Sequence, residues 1–455
     1  MRTEVPRAVA QIRRALGLLR PQDPRRPEVL VRLGRALLAT SDYMDAVAAL
    51  EEAVEALRDR GEELAVAELG APLSIALFNS GRADAAEATL TASRAVLERH
   101  PGPGLVSILC EQAMLRSNGE HADALDRAEE AIELAASLGL AAPPRALAVR
   151  GGARVATDQR GAELDLRAAI DGAVGTGDLR AASIALYLIA VMRANVQGPK
   201  FALAAFDEAI AFSAAHGLAT ERARAIRTQS LRDAGEWDEL LRESEELSTW
   251  ALKHGDIPSA VTAGLAAACA RLERGESIGS AEDLASMARD LGTPPTWAAH
   301  VVAEAAVARG DAEGARRALA EALAATPDGE LWDPAQFVRA CIRAGAPELA
   351  RRSLAIGASP QLHSAETQAA EAMVAEIDKD FVAARMGFTR AAASYHSLRG
   401  LPDEAYALAG LGRCLLALGE VEEGVARLRA SLAIWEHLKA TPRIGEIEAL
   451  LATMA

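Results

Sequence analysis

Leu401 to Ala440 reads LPDEAYALAGLGRCLLALGEVEEGVARLRASLAIWEHLKA. Leu408, Leu411, Gly412 and Leu415 recur at helical spacing and form one stripe. Gly419-Glu420 interrupts it. Gly424, Leu428 and Ser431 then form a second stripe, at steps of four and three. Two helices joined by a short turn, with small residues where they cross, are the unit of a helical repeat. The same unit stands near the other end of the chain: Leu30, Leu33, Gly34 and Leu37, a turn at Ser41-Asp42, then Ala46, Leu50 and Ala53. Gly34 and Ala46 are twelve residues apart, as are Gly412 and Gly424.

Between these ends the second helices repeat one formula: an alanine, a bulky residue four later, an alanine three after that. Ala46, Leu50, Ala53 follow it, as do Ala202, Phe206, Ala209, then Ala315, Leu319, Ala322 and Ala384, Phe388, Ala391. Ala124 to Ile132 (ALDRAEEAI) is a further relative of Ala46 to Val54 (AVAALEEAV). A methyl group lets two helix axes approach, and the bulky residue fills the groove beside it.

Breaks fall at regular intervals. Within pairs they include Ser80-Gly81, Asn118-Gly119, Gly161, Gln197-Gly198-Pro199, Ala234-Gly235, Arg274-Gly275, Arg309-Gly310, Ala344-Gly345, Lys379-Asp380 and Leu418-Gly419. Between pairs they include Gly61, His100-Pro101-Gly102, Pro143-Pro144, Gly175 to Gly177, His216-Gly217, His254-Gly255, Gly292, Pro327, Gly357 and Gly400. The pattern predicts an all-α, α-α superhelix of about eleven helix pairs, with the pair around 332–358 short. Residues 1–27 are an N-terminal helix and linker, helical over Val9 to Leu19 and broken by Pro21, Pro24 and Pro27. Residues 28–440 are the solenoid. Residues 441–455 are a C-terminal capping helix with Pro442 in its first turn. Repeat stability is set largely by nearest neighbours, so damage near Gly34 is expected to fray the N-terminal end first.

The paired stripes resemble the tetratricopeptide repeat (TPR). That family usually carries Trp four positions before the first glycine and Tyr three after it. Here those sites are Leu30 and Leu37, and Leu408 and Leu415. Its closing proline survives at Pro327, and residues 143–176 depart from its register. The run Pro402 to Gly419 and the tail Ile444 to Leu451 are also similar to the closing repeats of large bacterial signalling ATPases, whose output is a nucleotide cyclase or transcriptional regulator. That resemblance implies a sensor arm that binds a small ligand or controls an upstream module. No GxxxxGK[ST] phosphate loop occurs, so the ATPase activity does not carry over.

The TPR resemblance implies that the first helix of each pair lines a concave groove. It assigns Glu28, Val31, Arg35 and Leu38 to the groove at one end, and Tyr406, Ala409, Arg413 and Leu416 at the other. Arg35 and Arg413 then share one slot, where a guanidinium can grip a carboxylate by two hydrogen bonds or stay solvated or paired within the chain. Trp297, His300 and Glu304, at steps of three and four, fall on one helix face of the same groove. The expected occupant is a protein or peptide.

Composition sets the remaining bounds. At 455 residues the chain exceeds one ordinary core. Aromatic residues are only 4%, which with abundant Ala and Leu favours helix. The formal net charge of -15 argues against direct nucleic-acid binding. Lys occurs only at 200, 253, 379 and 439; Arg supplies the rest of the 49 basic residues. Cys110, Cys269, Cys341 and Cys414 lie far apart with apolar neighbours, which suits buried free thiols in a reducing cytoplasm. The longest uncharged runs, Ala181 to Met192 and Ile257 to Ala270, are below the ~18 residues needed to cross a bilayer. The eight histidines are scattered without a zinc-ligand spacing, and neither HExxH nor GxGxxG occurs. No catalytic residue, metal or cofactor is expected.

Overall fold

The computed structural model describes residues 4–117, 121–155, 157–291, 293, 295–326, 331, 333–356 and 364–454. The turns expected at Asn118-Gly119, Gly292, Pro327 and Gly357, and His363, lie outside them. Among the described residues there are 25 helices and no strand. A leading helix α1 (Glu4–Leu18) precedes eleven antiparallel pairs. These are α2 (Arg26–Ala39) with α3 (Tyr43–Arg58); α4 (Glu63–Glu68) and α5 (Gly70–Asn79) with α6 (Ala83–Leu97); α7 (Pro103–Arg116) with α8 (His121–Ser137); and α9 (Pro144–Arg154) with α10 (Gln159–Thr176). Next come α11 (Leu179–Gln197) with α12 (Pro199–Ala215); α13 (Glu221–Ala234) with α14 (Trp237–His254); α15 (Ile257–Arg274) with α16 (Ala281–Asp290); and α17 (Thr296–Ala308) with α18 (Ala312–Ala324). The last are α19 (Pro334–Arg343) with α20 (Pro347–Ala355); α21 (Ser364–Ile377) with α22 (Phe381–Leu398); and α23 (Leu401–Ala417) with α24 (Val421–Leu438), closed by α25 (Thr441–Ala452). The chain is an α-α solenoid.

The crossings sit where the small residues do. A Cβ on Gly34 would lie 2.5 Å from Leu50 Cγ. One on Gly412 would lie 2.8 Å from Leu428 Cγ and 3.0 Å from the Gly424 carbonyl. Ser431 continues that seam, donating to the Ala405 carbonyl at 2.7 Å. Ala46, Ala53, Ala202, Ala209, Ala384 and Ala391 have no exposed surface. Trp237 and Trp435 are buried between pairs.

Two local readings change. Gly161 is not a turn: α10 begins at Gln159, and the Asp158 carboxylate caps it by accepting from Gly161 N at 2.9 Å. An N-capping Asp three residues before a helical glycine outweighs the glycine as a boundary signal. The first helix of the second pair is divided at Leu69 into α4 and α5. Pro72 has no N–H to give, and its ring crowds the carbonyl of Glu68, which opens the helix there.

The coil returns onto itself after about five pairs, edge against edge. Ala219 N donates to Ala39 O at 3.2 Å, and His254 Nε2 lies 3.7 Å from Asp42 Oδ1. A Cβ at Gly255 would meet Met44 Cγ at 2.5 Å. Further along, Gly198 (φ 97°) fits under Leu398, where a Cβ would strike the carbonyl oxygen at 2.1 Å. Gly235 lies beneath Leu401 and Leu438, and Gly275 beneath Pro442. Arg274 Nε donates to Leu438 O at 3.1 Å, and Asp238 accepts from both Arg274 and Lys439 at 2.7 Å. The turns inside the early pairs therefore rest on the loops that enter pairs one superhelical turn later.

These contacts between turns join α2 and α3 to residues far along the chain, beyond their nearest neighbours. Gly34→Leu and Ala53→Leu should each destabilise by about 1–3 kcal/mol through overpacking, read by denaturant unfolding. Hydrogen exchange in Gly34→Leu should quicken not only in α2 and α3 but also at Ala219 and across 254–257. Protection unchanged at Ala219 would contradict the stacked turns.

Candidate interaction surfaces

The lumen of the later turn holds a charged network. Glu273 comes from α15, Glu304 from α17, Arg339 and Arg343 from α19, Asp403 and Tyr406 from α23, and Arg443 from α25. Arg343 donates to Glu304 Oε2 at 2.8 Å and to the Tyr406 hydroxyl at 2.6 Å. That hydroxyl donates to Glu273 Oε1 at 2.5 Å. The other Glu273 oxygen accepts from Arg443 Nε at 2.8 Å. Arg339 donates to Asp403 at 2.9 Å and lies with its guanidinium carbon 3.5 Å from the Tyr406 ring centroid, a cation–π contact. Trp435 meets the same ring edge-on at 4.7 Å.

Burial pushes the Glu273 carboxyl up, but Arg343, Arg443 and the Tyr406 hydroxyl together outweigh it and hold the group at about 2. Burial raises the Tyr406 phenol. Burial pushes His300 down to about 4, so its ring is neutral near pH 7; its Nε2 lies 3.5 Å from Cys269 Sγ. Burial likewise pushes the Asp233 carboxyl up to about 6, against the pull of Arg232. The space left among Cys269, His300, Gln336, Arg339 and Arg343 is about 40 Å³, room for water molecules.

Of the residues picked from sequence, His300, Glu304 and Tyr406 converge on this network. Trp297, on the same helix, is half-buried against the apolar cluster of α15 to α17 instead. Arg413 grips Glu376 of α21 with two hydrogen bonds, at 2.6 and 2.8 Å. Arg35 is exposed and makes no side-chain hydrogen bond or ion pair among the described residues. Sequence reading missed Glu273, Arg339, Arg343 and Arg443. Arg339 and Arg343 carried a signal in their i, i+4 spacing, which places both on one face of α19. Glu273 and Arg443 are 170 residues apart, and no local pattern joins them.

One further motif stands in the chain. Gly275 to Gly279 reads GESIG, a match to the G-x-S-x-G nucleophile elbow. The elbow needs a strand-to-helix turn. Here the stretch is the loop between α15 and α16, and Ser277 is exposed. No group of three or more potential metal ligands occurs among the described residues.

The second surface lies on the outside. α10 and α12 flank a cleft of about 480 Å³ whose floor is α11. Leu186, Ile189 and Met192 line the floor, Phe201 and Ala205 one wall, and Glu163 and Arg167 the other, with Arg193, Gln197 and Glu208 at the rim. By length and composition α11 is apolar enough to cross a membrane, yet only 28% of its apolar window is buried. Phe201 is 60% exposed.

By sequence, no protein family and no curated protein matches this chain. Solved structures similar to it include yeast Tom70, at 12% identity over 94% of this chain and 96% of that one, with a TM-score of 0.38. Cut9 in the APC/C Cut9–Hcn1 hetero-tetramer is 14% identical over 92% and 90%, at 0.32. The human IFIT1 dimer with m7Gppp-AAAA is 16% identical over 95% and 94%, at 0.36. The architecture assigned above rests on this chain's own helices and crossings.

Two outcomes check the network. Tyr406→Phe removes a hydroxyl that both donates and accepts, and should cost about 1–2 kcal/mol, while Glu273→Ala removes the acceptor of both Tyr406 and Arg443 and should cost about 3 kcal/mol or more. Both should loosen α23 and α25 in hydrogen exchange and leave α1 to α6 unchanged. The pH dependence has a definite sign. His300 binds its proton less readily folded than unfolded, so between about 6.5 and about 4 stability is lost as pH falls. Asp233 acts oppositely between 3.8 and about 6, where the folded chain holds the extra proton. Melting curves of His300→Gln against the parent should therefore show a shallower loss between pH 6.5 and 4. Parallel curves would contradict the assignment.

Proposed function

We propose that this chain is a non-catalytic helical-repeat scaffold that binds a protein or peptide partner. The observation that carries this reading is the outer cleft. The large apolar side chains of α11 are only partly covered there, in a solenoid whose inner network already pairs its charged groups. Exposed apolar surface of this kind, rimmed by polar residues, marks interaction sites. Arg35 and Trp297 offer the concave face as a second contact. The four cysteines are all free thiols, which suits a reducing compartment such as the cytoplasm.

The test is co-purification of the tagged full chain from its source cell, followed by titration of each recovered protein against the purified chain. At least one should bind directly and saturate. Arg35→Ala and Trp297→Ala should weaken that binding only if the concave face contributes. Recovery of nothing beyond an unrelated bait, or substrate turnover by the purified chain, would overturn the scaffold reading.

A further inference from the structure

We propose that the cleft between α10 and α12 is a docking groove for an amphipathic helix of a partner protein. That helix brings an acidic residue to Arg193, a basic residue to Glu208 and bulky apolar side chains between them. The inference rests on the scaffold reading and names the chemistry that the surface takes.

The floor argues first. The fully buried residues of α11 are four alanines, Ala181, Ala182, Ala185 and Ala190. In α15, of nearly the same length, eleven residues are buried, among them Val261 and Leu265. The large side chains of α11 therefore do not find the cover within the fold that its alanines do. Leu186, Ile189 and Met192 follow at steps of three, so they form one stripe along the trough. Met192 adds a flexible, polarizable contact that tolerates different shapes.

The shape argues next. α10 and α12 both run antiparallel to α11, so the walls of the trough are parallel helices. From Leu186 to Gln197 the floor spans about 17 Å at 1.5 Å per residue, roughly three turns of a visiting helix. Helix-in-groove recognition uses anchors at i, i+3 or i+4, and i+7 over that length. Phe201 stands at one wall, 60% exposed, and Leu164 on α10 is 61% exposed.

Charge fixes the occupant. Arg167 is drawn onto Glu163 by two hydrogen bonds, at 3.1 and 2.5 Å, which closes that wall. Arg193 and Glu208 have no side-chain hydrogen bond or ion pair among the described residues. The hairpin folds back at Gly198, with Arg193 five residues before it and Glu208 ten after. They are thus offset by about 7 Å along the groove. A complementary helix carries its acid and base at that offset, about one turn or slightly more apart. An anionic lipid surface would instead ask for a uniformly basic rim, and Glu163 and Glu208 are part of this one.

The test uses two fluorescent synthetic helices of about 18 residues, long enough to hold helical structure. Both carry leucines at i, i+3, i+4 and i+7. One places Glu and Lys to face Arg193 and Glu208; the other exchanges them. Anisotropy against the full chain should favour the matched peptide. Phe201→Glu, at an exposed position, should weaken it by about tenfold or more. The double reversal Arg193→Glu/Glu208→Arg should reverse the preference between the peptides, with circular dichroism confirming that both variants fold as the parent does. Equal binding of both peptides to parent and reversed chains would overturn the proposal. So would Phe201-dependent sedimentation with phosphatidylcholine–phosphatidylglycerol vesicles, or Phe201-dependent self-association, without peptide binding. If a co-purified partner still binds the Phe201→Glu and reversed chains, the groove assignment falls and the scaffold stands. If the matched peptide binds with the expected reversal but no partner co-purifies, the scaffold reading falls and the groove stands.

Discussion

The structure depends on how closely two helices can cross. At Gly34 and Gly412 the facing leucine occupies the space a Cβ would need. The alanines of the second helices do the same at lower resolution along the chain. Close crossings make slim pairs, and slim pairs wind into a coil that meets its own edge after about five of them. The contact between turns then falls on the glycines of the intervening loops. Gly198, Gly235, Gly255 and Gly275 all have positive φ, and each has a residue of the adjoining turn where a side chain would stand. A residue with a Cβ there would be strained by its own backbone and blocked by its neighbour.

A narrow coil decides what its lumen can hold. Alanine-rich inner helices leave a gap that short side chains cannot bridge, and arginine, glutamate and tyrosine can. Once dehydrated, those charges need partners, because an unpaired ion in the interior is far more costly than a paired one. Glu273 meets that condition with two hydrogen-bond donors, Tyr406 of α23 and Arg443 of α25, and an ion pair with Arg343 of α19 at 3.7 Å. Arginine suits the task better than lysine. Its planar fork lets Arg343 reach Glu304 and Tyr406 at once, and lets Arg339 stack on a ring while it pairs with Asp403.

Much of this was legible in the chain and some was not, for a physical reason. Helix order, pair count and most turns follow from local chemistry: apolar residues at steps of three and four, and glycine where the backbone turns left-handed. Glu304 and Tyr406, read from the sequence as groove residues, are joined by hydrogen bonds through Arg343, which the spacing did not single out. Closure was not. It is a sum of small rotations from pair to pair, and no single residue encodes it, so the partners of Glu273 and of Asp238 could not be read from spacing. The uncharged run Ala181 to Met192 is by itself too short for a bilayer. Its meaning changed once α11 extended over Leu179–Gln197 with its large side chains half exposed.

Inside and outside therefore stand in different energetic positions. To use the later turn of the lumen, a partner must first separate Arg343, Arg443 and Tyr406 from Glu273, and then replace every bond it broke in a space of about 40 Å³. The gain is the difference between two similar sets of charge-assisted bonds. On the outer cleft nothing has to be broken. The floor is formed and partly exposed, and covering Leu186, Ile189, Met192 and Phe201 returns roughly 25 cal/mol for each Å² of apolar surface removed from water. Arg193 and Glu208 already hold unpaired charge at its edge. A solenoid that has satisfied its interior in this way gains most from contact where its own fold left apolar surface partly uncovered, which is why the proposed groove is the trough over α11.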